Sequence, residues 1–423
     1  MKIYNLSPEE LLIFKKKAFQ WAVSFETACY FDSNSYPDPY SSFDLLIAAG
    51  SVREIKSSSK NAFNRLSSFI KPCKWGIGFL GYDLKNDLED LNSHNKDELQ
   101  FPDLFFFEPK HLIKLQGNQV FLNSMDGDEV YKIINSQQIT SVPVQESVSF
   151  ELKSRFNYDE YCLTVEKVRE HILRGDIYEM NLCQEFYSKG MEFHPEETYQ
   201  KLKEISPTPF SCFFKFQGNY ILSASPERFM CRRGSKLISQ PIKGTAKRSY
   251  DEKEDFQLKE DLRNNQKEQS ENVMIVDLVR NDLTKCSKAG SVKVEELFGI
   301  YTFRQVHQMI STIVSEAHPL LDNTEIIKAV FPMGSMTGAP KLRAMELIEA
   351  FERSKRGTFS GAIGYFSPEG DFDFNVVIRS VLYNSKTRYL SFQVGSAITY
   401  ASKPEKEYEE CLLKAEAILK ALA

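Results

Sequence analysis

Pro241-Ile242-Lys243-Gly244-Thr245 follows a strand-like run over residues 236–240 and sets a lysine amine between a β-branched residue and a glycine. Gly244 lets the backbone approach a ligand closely. An amine at such a strand end is a cation for a carboxylate or, with a lowered pKa, a nucleophile. A solitary lysine is more often a solvated surface charge, so its neighbours decide the matter.

Two acidic pairs supply those neighbours. Glu268 and Glu271 lie three residues apart in a segment whose pattern predicts a helix over 267–277, so both face one way. Glu407 and Glu410 repeat the spacing in a predicted helix over 403–422, where Cys411, Leu412, Ala415, Ile418 and Leu419 form the apolar stripe. Taken alone, either pair reads as solvated acids, with Glu410 pairing to Lys414 at helical spacing. Brought together they make an all-oxygen site suited to Mg²⁺, which takes one or two carboxylates and keeps several waters. Spacing by itself does not bring them together.

The 423 residues are 42% hydrophobic and 26% charged, enough apolar material for a large core. A formal charge of -5 leaves no electrostatic footprint for nucleic acid. No apolar run approaches the length that spans a bilayer, and the N-terminus has no signal-like apolar core. Instead Ser7-Pro8-Glu9-Glu10 predicts a capping box with proline at the first helical position. Eight scattered cysteines without a Cys-x-x-Cys pair suit buried thiols in a reducing cytoplasm.

Helix and strand signals alternate irregularly, with many adjacent short strands, which predicts α+β and not a doubly wound parallel sheet. The polar stretch 136–147, containing Pro143, is the best boundary, giving regions 1–147 and 148–423. Beyond it Tyr161, Val165, Val168 and Ile172 mark a helix face and Gly175 its stop. Residues 210–216 and 220–223 flank a hairpin turn at Gln217-Gly218-Asn219, and a second hairpin turns at Arg233-Gly234-Ser235. Two glycine motifs mislead. Gly76-x-Gly78-x-x-Gly81 matches a dinucleotide fingerprint, yet Lys71-Pro72-Cys73-Lys74 before it is a poor strand. Gly334 to Lys341 lacks the Gly-Lys-Ser/Thr ending of a phosphate loop.

Three long blocks stand in order. They are Glu268-Gln-Ser-Glu271-Asn272 through Arg280-Asn281-Asp282-Leu283, then Met333-Gly334-Ser335-Met336-Thr337-Gly338-Ala339-Pro340-Lys341, and then Arg356-Gly357 through Tyr365 with Val377-Ile378-Arg379. With the Pro241 to Thr245 pentapeptide, they resemble the chorismate-utilising enzymes over most of the chain after Phe150. Gly78-Phe79-Leu80-Gly81-Tyr82-Asp83 is a familiar segment of the same family. The resemblance implies two β-sheets sandwiched between helical layers, an N-terminal region over 1–147 and a chorismate-binding catalytic part over 148–423.

Position by position, it implies that Glu271 and Glu410 ligate Mg²⁺ directly while Glu268 and Glu407 support it through water. It implies that Arg379 binds the enolpyruvyl carboxylate, since a planar guanidinium matches a carboxylate bidentately. Ser335, Gly244 and Thr245 fall in its substrate-binding blocks. Backbone amides around Gly395, Ser396 and Ala397, in a loop after Val394, and the Lys414 amine would assist. Ala397 replaces a frequent second glycine, tolerable if its φ is negative. Glu227, in Ser225-Pro226-Glu227-Arg228, aligns with the acid that protonates the departing ring hydroxyl, and His307 with a histidine near the ring; a lone histidine of this kind is more often a hydrogen-bonded structural one.

The pentapeptide is similar to the aminodeoxychorismate-forming branch, in which Lys243 is the covalent nucleophile; the anthranilate-forming branch typically has alanine there. At an ordinary pKa near 10.4 only about 0.1% of the lysine is neutral at pH 7.5, a cost of roughly 4 kcal/mol, so the site is expected to depress it. Bound Mg²⁺, or Lys247 and Arg248 folding back, would do so. Glu179, four residues after Gly175, stands where isochorismate synthases carry a lysine base and the other two branches a glutamine. Phe359 replaces a tyrosine of anthranilate synthases, and no tryptophan-sensing Leu-Leu-Glu-Ser motif is recognised. The resemblance implies ammonia from a separate glutamine amidotransferase subunit and pyruvate elimination on another protein, since neither motif appears. The rivals are an anthranilate synthase component I and a non-catalytic ligand-binding subunit of the same fold.

Overall fold

The computed structural model describes residues 1–58, 60–138 and 151–423. The predicted boundary at 147/148 therefore lies outside the described residues. The local signals on either side produce the elements they specify. Ser7 accepts from the Glu10 amide and Glu10 reaches back, closing the capping box at the head of helix Pro8–Val23. Helix Tyr158–Leu173 buries Tyr161, Val165 and Val168, and Gly175 follows it at φ +81°. The hairpins form as predicted, Phe210–Phe216 with Asn219–Ser225 and Arg228–Arg233 with Lys236–Gln240.

Every strand pairing among the described residues is antiparallel, and the pairings join into one ladder. From Glu179–Lys189 it runs through Tyr389–Ile398, Ser380–Asn384, Asn219–Ser225, Phe210–Phe216 and Ala28–Asp32 to Leu45–Ser57. From there it passes to Leu104–Gln116, Gly76–Leu80, Ala362–Phe366, Phe372–Val376, Arg228–Arg233, Lys236–Gln240 and Val306–Glu316. Leu45–Ser57 and Leu104–Gln116, 13 residues each, are the seam. Leu45 to Ala49 serve the first sheet, whereas Leu104 to Phe107 serve the second. A register shift between Ser51 and Arg53, beside Gly50 at φ +66°, bends the seam.

Alternation along the seam separates the two cores. Cys29, Phe31, Leu46 and Ala48 face a layer between the sheets with Phe79, Phe105, Phe107 and Phe214. Tyr30, Leu45, Ile47 and Ala49 face Phe14, Trp21 and Tyr199 on the overlying helices. This is the helix-flanked pair of sheets expected, hydrogen-bonded end to end.

The glycine decoys resolve as packing. Gly76–Leu80 is a strand, with Gly78 paired to Gly364; a Cβ on Gly78 would lie 2.0 Å from the Phe105 carbonyl. Lys341 turns inward to Asp282 and the carbonyls of Val330 and Pro332, where no phosphate reaches it. All eight cysteines are unpaired, and among the described residues no helix is long and apolar enough to cross a membrane.

Candidate active site

Lys243 lies in strand Ile242–Lys247, one residue into it and not at the end of the preceding strand. Pairing to Val306–Glu316 slips between Ile242 and Thr245, so Lys243 and Gly244 form a bulge. A bulge re-aims the side chain it carries. Gly244 takes φ +92°, and a Cβ there would lie 3.2 Å from the Glu268 carboxylate. Thr245 remains exposed, paired to Gln308.

The bulged lysine meets the residue that motif reading left without a role. Lys243 Nζ donates to Glu179 Oε1 at 2.7 Å, and the side chains are 11% and 2% exposed. Burial pulls the lysine pKa down, but the Glu179 charge and hydrogen bond, with Glu271 and Glu227 beyond, carry it above its ordinary value. This reverses the expected depression. The proposed helpers are elsewhere: Arg248 pairs with Asp255 at 2.8 Å, and Lys247 is exposed.

Glu227 is buried where the chain enters strand Arg228–Arg233. Burial pushes its pKa up to about 7, against the Ser335 hydrogen bond and the Lys243 charge, which pull it down. Ser335 is held in turn, its carbonyl accepting from Asn181 Nδ2 at 2.5 Å. A recess of about 370 Å³ opens behind Glu227 and Ser335 among Phe229, Val279 and Val330. Neither Lys243 nor Arg379 lines it, so it is not the place where these groups meet a substrate.

The acidic pairs arise from helices Gln266–Thr284 and Pro404–Leu422 and act on one another. Burial raises Glu268, and Glu410 adds to that rise. Burial likewise lifts Glu271 to about 7 although Lys243 and Lys267 pull it down. Glu410 is brought below its ordinary value: burial acts upward, but Lys414, at 2.7 Å, outweighs it. Lys267, 3.5 Å from Glu271, also feels Glu268 and Glu407, so one ammonium serves the cluster as counter-ion. Among the described residues no three Asp, Glu, His or Cys side chains stand close enough to cage a metal alone.

Arg379 adopts φ +53°, a backbone state costly for a side chain with a Cβ and one that recurs at functional sites. Its guanidinium makes no hydrogen bond or ion pair with another described residue, and burial lowers its pKa. An unpaired guanidinium held away from water is a ready carboxylate receptor. Arg379→Lys keeps the charge and loses the fork, and is expected to raise the KM for a dicarboxylate substrate about 10- to 100-fold with little change in kcat. An analogue lacking one carboxylate should lose far less, and equal losses for both would make Arg379 structural.

Gly395 to Ile398 were expected in a loop; they continue strand Tyr389–Ile398, paired to Met180 to Cys183. The neighbour on the other side, Ser380–Asn384, stops at Ser391, so alternate amides of this stretch face an open edge. A Cβ on Gly395 would lie 2.4 Å from Cys183 Sγ. Ala397 is absent from the positive-φ positions and carries its methyl without strain. Ser396 is buried with its hydroxyl 3.3 Å from Tyr161, and Lys414 donates to the Gly395 carbonyl at 2.8 Å. His307 is fully engaged, with Nε2 3.0 Å from Asp255 and Nδ1 3.0 Å from Thr302.

Sequence reasoning missed Arg356 and Glu352, a buried pair 2.7 Å apart. Arg356 ties the Met336 and Asn181 carbonyls together, and Glu352 accepts from the Cys183 amide. The pair thus stitches the Ser335 turn to the Glu179 strand. Arg356 opened a motif block, but its partner Glu352 was signalled only by an i,i+4 spacing shared with many solvated pairs.

Residues 9–420 match the family of chorismate binding enzymes. The chain belongs to that family. Aminodeoxychorismate synthase component 1 of Bacillus subtilis is 34% identical to this chorismate-binding enzyme over 361 residues, covering 82% of the chain and 76% of the relative. The protein of the same name from Escherichia coli is also 34% identical, with coverage of 82% and 76%. Anthranilate synthase component 1 of Aquifex aeolicus is 31% identical, with coverage of 83% and 75%. Among solved structures, anthranilate synthase component I of Streptococcus pneumoniae superposes with a TM-score of 0.80 at 26% identity over 90% of this chain and 93% of that one. The menaquinone-specific isochorismate synthase of Escherichia coli shares the fold, with a TM-score of 0.78 at 18% identity over 96% and 91%.

Proposed function

We propose that this chorismate-binding enzyme converts chorismate and ammonia to 4-amino-4-deoxychorismate through a covalent adduct on Lys243, a step toward para-aminobenzoate and folate. The observation that carries the reading is the bulged, buried Lys243 amine, beside Glu179 and under the influence of Glu227. The words "component 1" in the names of the Bacillus and Escherichia relatives support a second component, read here as a glutamine amidotransferase that delivers ammonia. The unpaired cysteines support a reducing, cytoplasmic setting.

The donor set fits Mg²⁺: hard oxygens only, partly desolvated, with Glu268 and Glu271 raised by burial despite the neighbouring lysines. Glu271 and Glu410 would hold the ion, with Glu268 and Glu407 behind water, and when bound it supplies positive charge to the ring carboxylate. Arg379 takes the enolpyruvyl carboxylate, and open-edge amides near Gly395 assist. The Lys243 amine adds to the ring carbon beside the carboxylate while the double bond shifts. The carbon–oxygen bond to the ring hydroxyl breaks, and the Glu227 proton makes water of it. Ammonia then adds at that carbon, the double bond shifts back, and the bond to Lys243 breaks with its electron pair returning to the amine. Glu227 takes a proton from the new ammonium and is restored.

Glu227 must begin protonated, so kcat should fall as pH rises through about 7. Glu227→Gln should lower kcat about 10²–10⁴-fold and remove that descending limb. The deciding experiment is turnover of chorismate with ammonium and Mg²⁺, with products identified by mass. Aminodeoxychorismate supports the reading, anthranilate with pyruvate would replace it with the sister reaction, and no turnover would leave a binding subunit.

A further inference from the structure

Lys243 presents a contradiction between chemistry and electrostatics. A nucleophilic amine must be neutral, yet the surroundings hold this one as an ammonium. Five carboxylates act on it: Glu179 from strand Glu179–Lys189, Glu227 before strand Arg228–Arg233, Glu268 and Glu271 from helix Gln266–Thr284, and Glu410 from helix Pro404–Leu422. The strand beneath presents His307, which pairs with Asp255 of helix Glu252–Asn264 and faces away into that contact. Among the described residues only Glu179 touches Nζ, at 2.7 Å.

Glu179 has a second distinguishing feature. Its other oxygen, Oε2, is buried and has no hydrogen-bond partner among the described residues. A carboxylate kept only to anchor a cation would ordinarily have both oxygens satisfied, because a buried unpaired acceptor is costly. One oxygen on the lysine and one bare oxygen describe a carboxylate placed to accept a proton from the amine it touches. Burial penalises the ion pair relative to the neutral amine and carboxylic acid, since only the ion pair carries separated charge.

We infer that Glu179 is the base that takes the Lys243 proton: the Nζ–H bond breaks, an Oε–H bond forms, and the freed lone pair attacks the substrate ring. When the carbon–nitrogen bond to the substrate later breaks, the amine recovers its lone pair and the proton returns from Glu179. No proton enters or leaves the pair. The inference rests on Lys243 being the nucleophile of the proposed reaction, and it assigns a role to a carboxylate at the position where the related branches use glutamine.

A proton shared inside a pair makes activation independent of bulk pH, whereas a lysine without its base must release the proton to solvent. The test is kcat of the wild type, Glu179→Gln and Glu179→Asp from pH 6.5 to 8.5, at saturating chorismate and Mg²⁺ and constant free ammonia. The Glu227 limb is common to all three and cancels in ratios. The ratio of Glu179→Gln to wild type is expected to climb about tenfold per pH unit, roughly 100-fold across the range, because the neutral fraction of a lysine grows in that proportion below its pKa. Glu179→Asp, which keeps a carboxylate, should give a lowered but pH-independent ratio. Circular dichroism and melting temperature establish that each variant is folded. A constant ratio for Glu179→Gln would overturn the base assignment while wild-type aminodeoxychorismate formation stood. Anthranilate as the wild-type product would instead overturn the parent reading, whatever the ratios.

Discussion

Lys243→Ala is expected to lose aminodeoxychorismate formation by about 10³-fold or more, as removal of a covalent nucleophile commonly does. With chorismate and Mg²⁺ but no ammonia, a covalent adduct is expected by intact mass in the wild type and should be absent from this variant. Alanine also strands Glu179, whose charge would be left buried and uncompensated, so some loss of melting temperature should accompany the loss of activity. Lys243→Arg separates the two effects. A guanidinium keeps the positive charge beside Glu179 but cannot surrender a proton, so this variant should recover stability and remain inactive. Recovery of activity with arginine would mean that Lys243 serves only as a cation.

The second large effect belongs to the acidic pairs. Glu271→Gln and Glu410→Gln should each reduce turnover by about 10³-fold, because the proposed Mg²⁺, held by so few protein oxygens, would lose much of its site with either one. Activity alone would not show that metal is involved. Added Mg²⁺ should raise the melting temperature of the wild type, since an ion that binds only the folded state stabilises it, by about 2.7 kcal/mol at 100 times its dissociation constant. Both variants should lose that response. The two residues come from helices far apart in sequence, Gln266–Thr284 and Pro404–Leu422, so a shared loss is evidence of a shared ion. A full Mg²⁺ response in either variant would remove that residue from the site.

Much of this arrangement is written in short-range signals. Capping residues, turn glycines and apolar periodicity fix the helices and hairpins, because each depends on neighbours within four or five residues. Motif blocks point to Lys243, Glu227, Glu271 and Arg379 because their residue types are unusual in company. What escaped depends on contacts across the chain. Glu179 and Lys243 are separated by 64 positions, and no periodicity links a strand residue to a bulge so far away. The lysine was therefore expected with a lowered pKa, when its strongest partner is a carboxylate. Gly395 to Ile398 looked like a loop on account of small residues, yet glycine there is what permits close pairing with Cys183. Arg356 opened a motif block without a role, which the structure supplies by closing the Met336 and Asn181 carbonyls around it.

The strands on either side of the seam also govern how the molecule comes to exist. Ala28 pairs with Lys215 and Ile77 with Tyr365, so hydrogen-bond partners emerge from a ribosome hundreds of residues apart. At about 5–20 residues per second, the first strands wait on the order of ten seconds or more with bare edges before their partners are made. Non-local pairing of this kind places the protein among slow-folding topologies. During that interval Ala28–Asp32 and Gly76–Leu80, buried throughout in the folded protein, offer apolar edges to any neighbouring nascent chain. The seam strands, made early, cover one edge of each, Leu45–Ser57 against Ala28–Asp32 and Leu104–Gln116 against Gly76–Leu80, and leave the other bare until the native partners arrive.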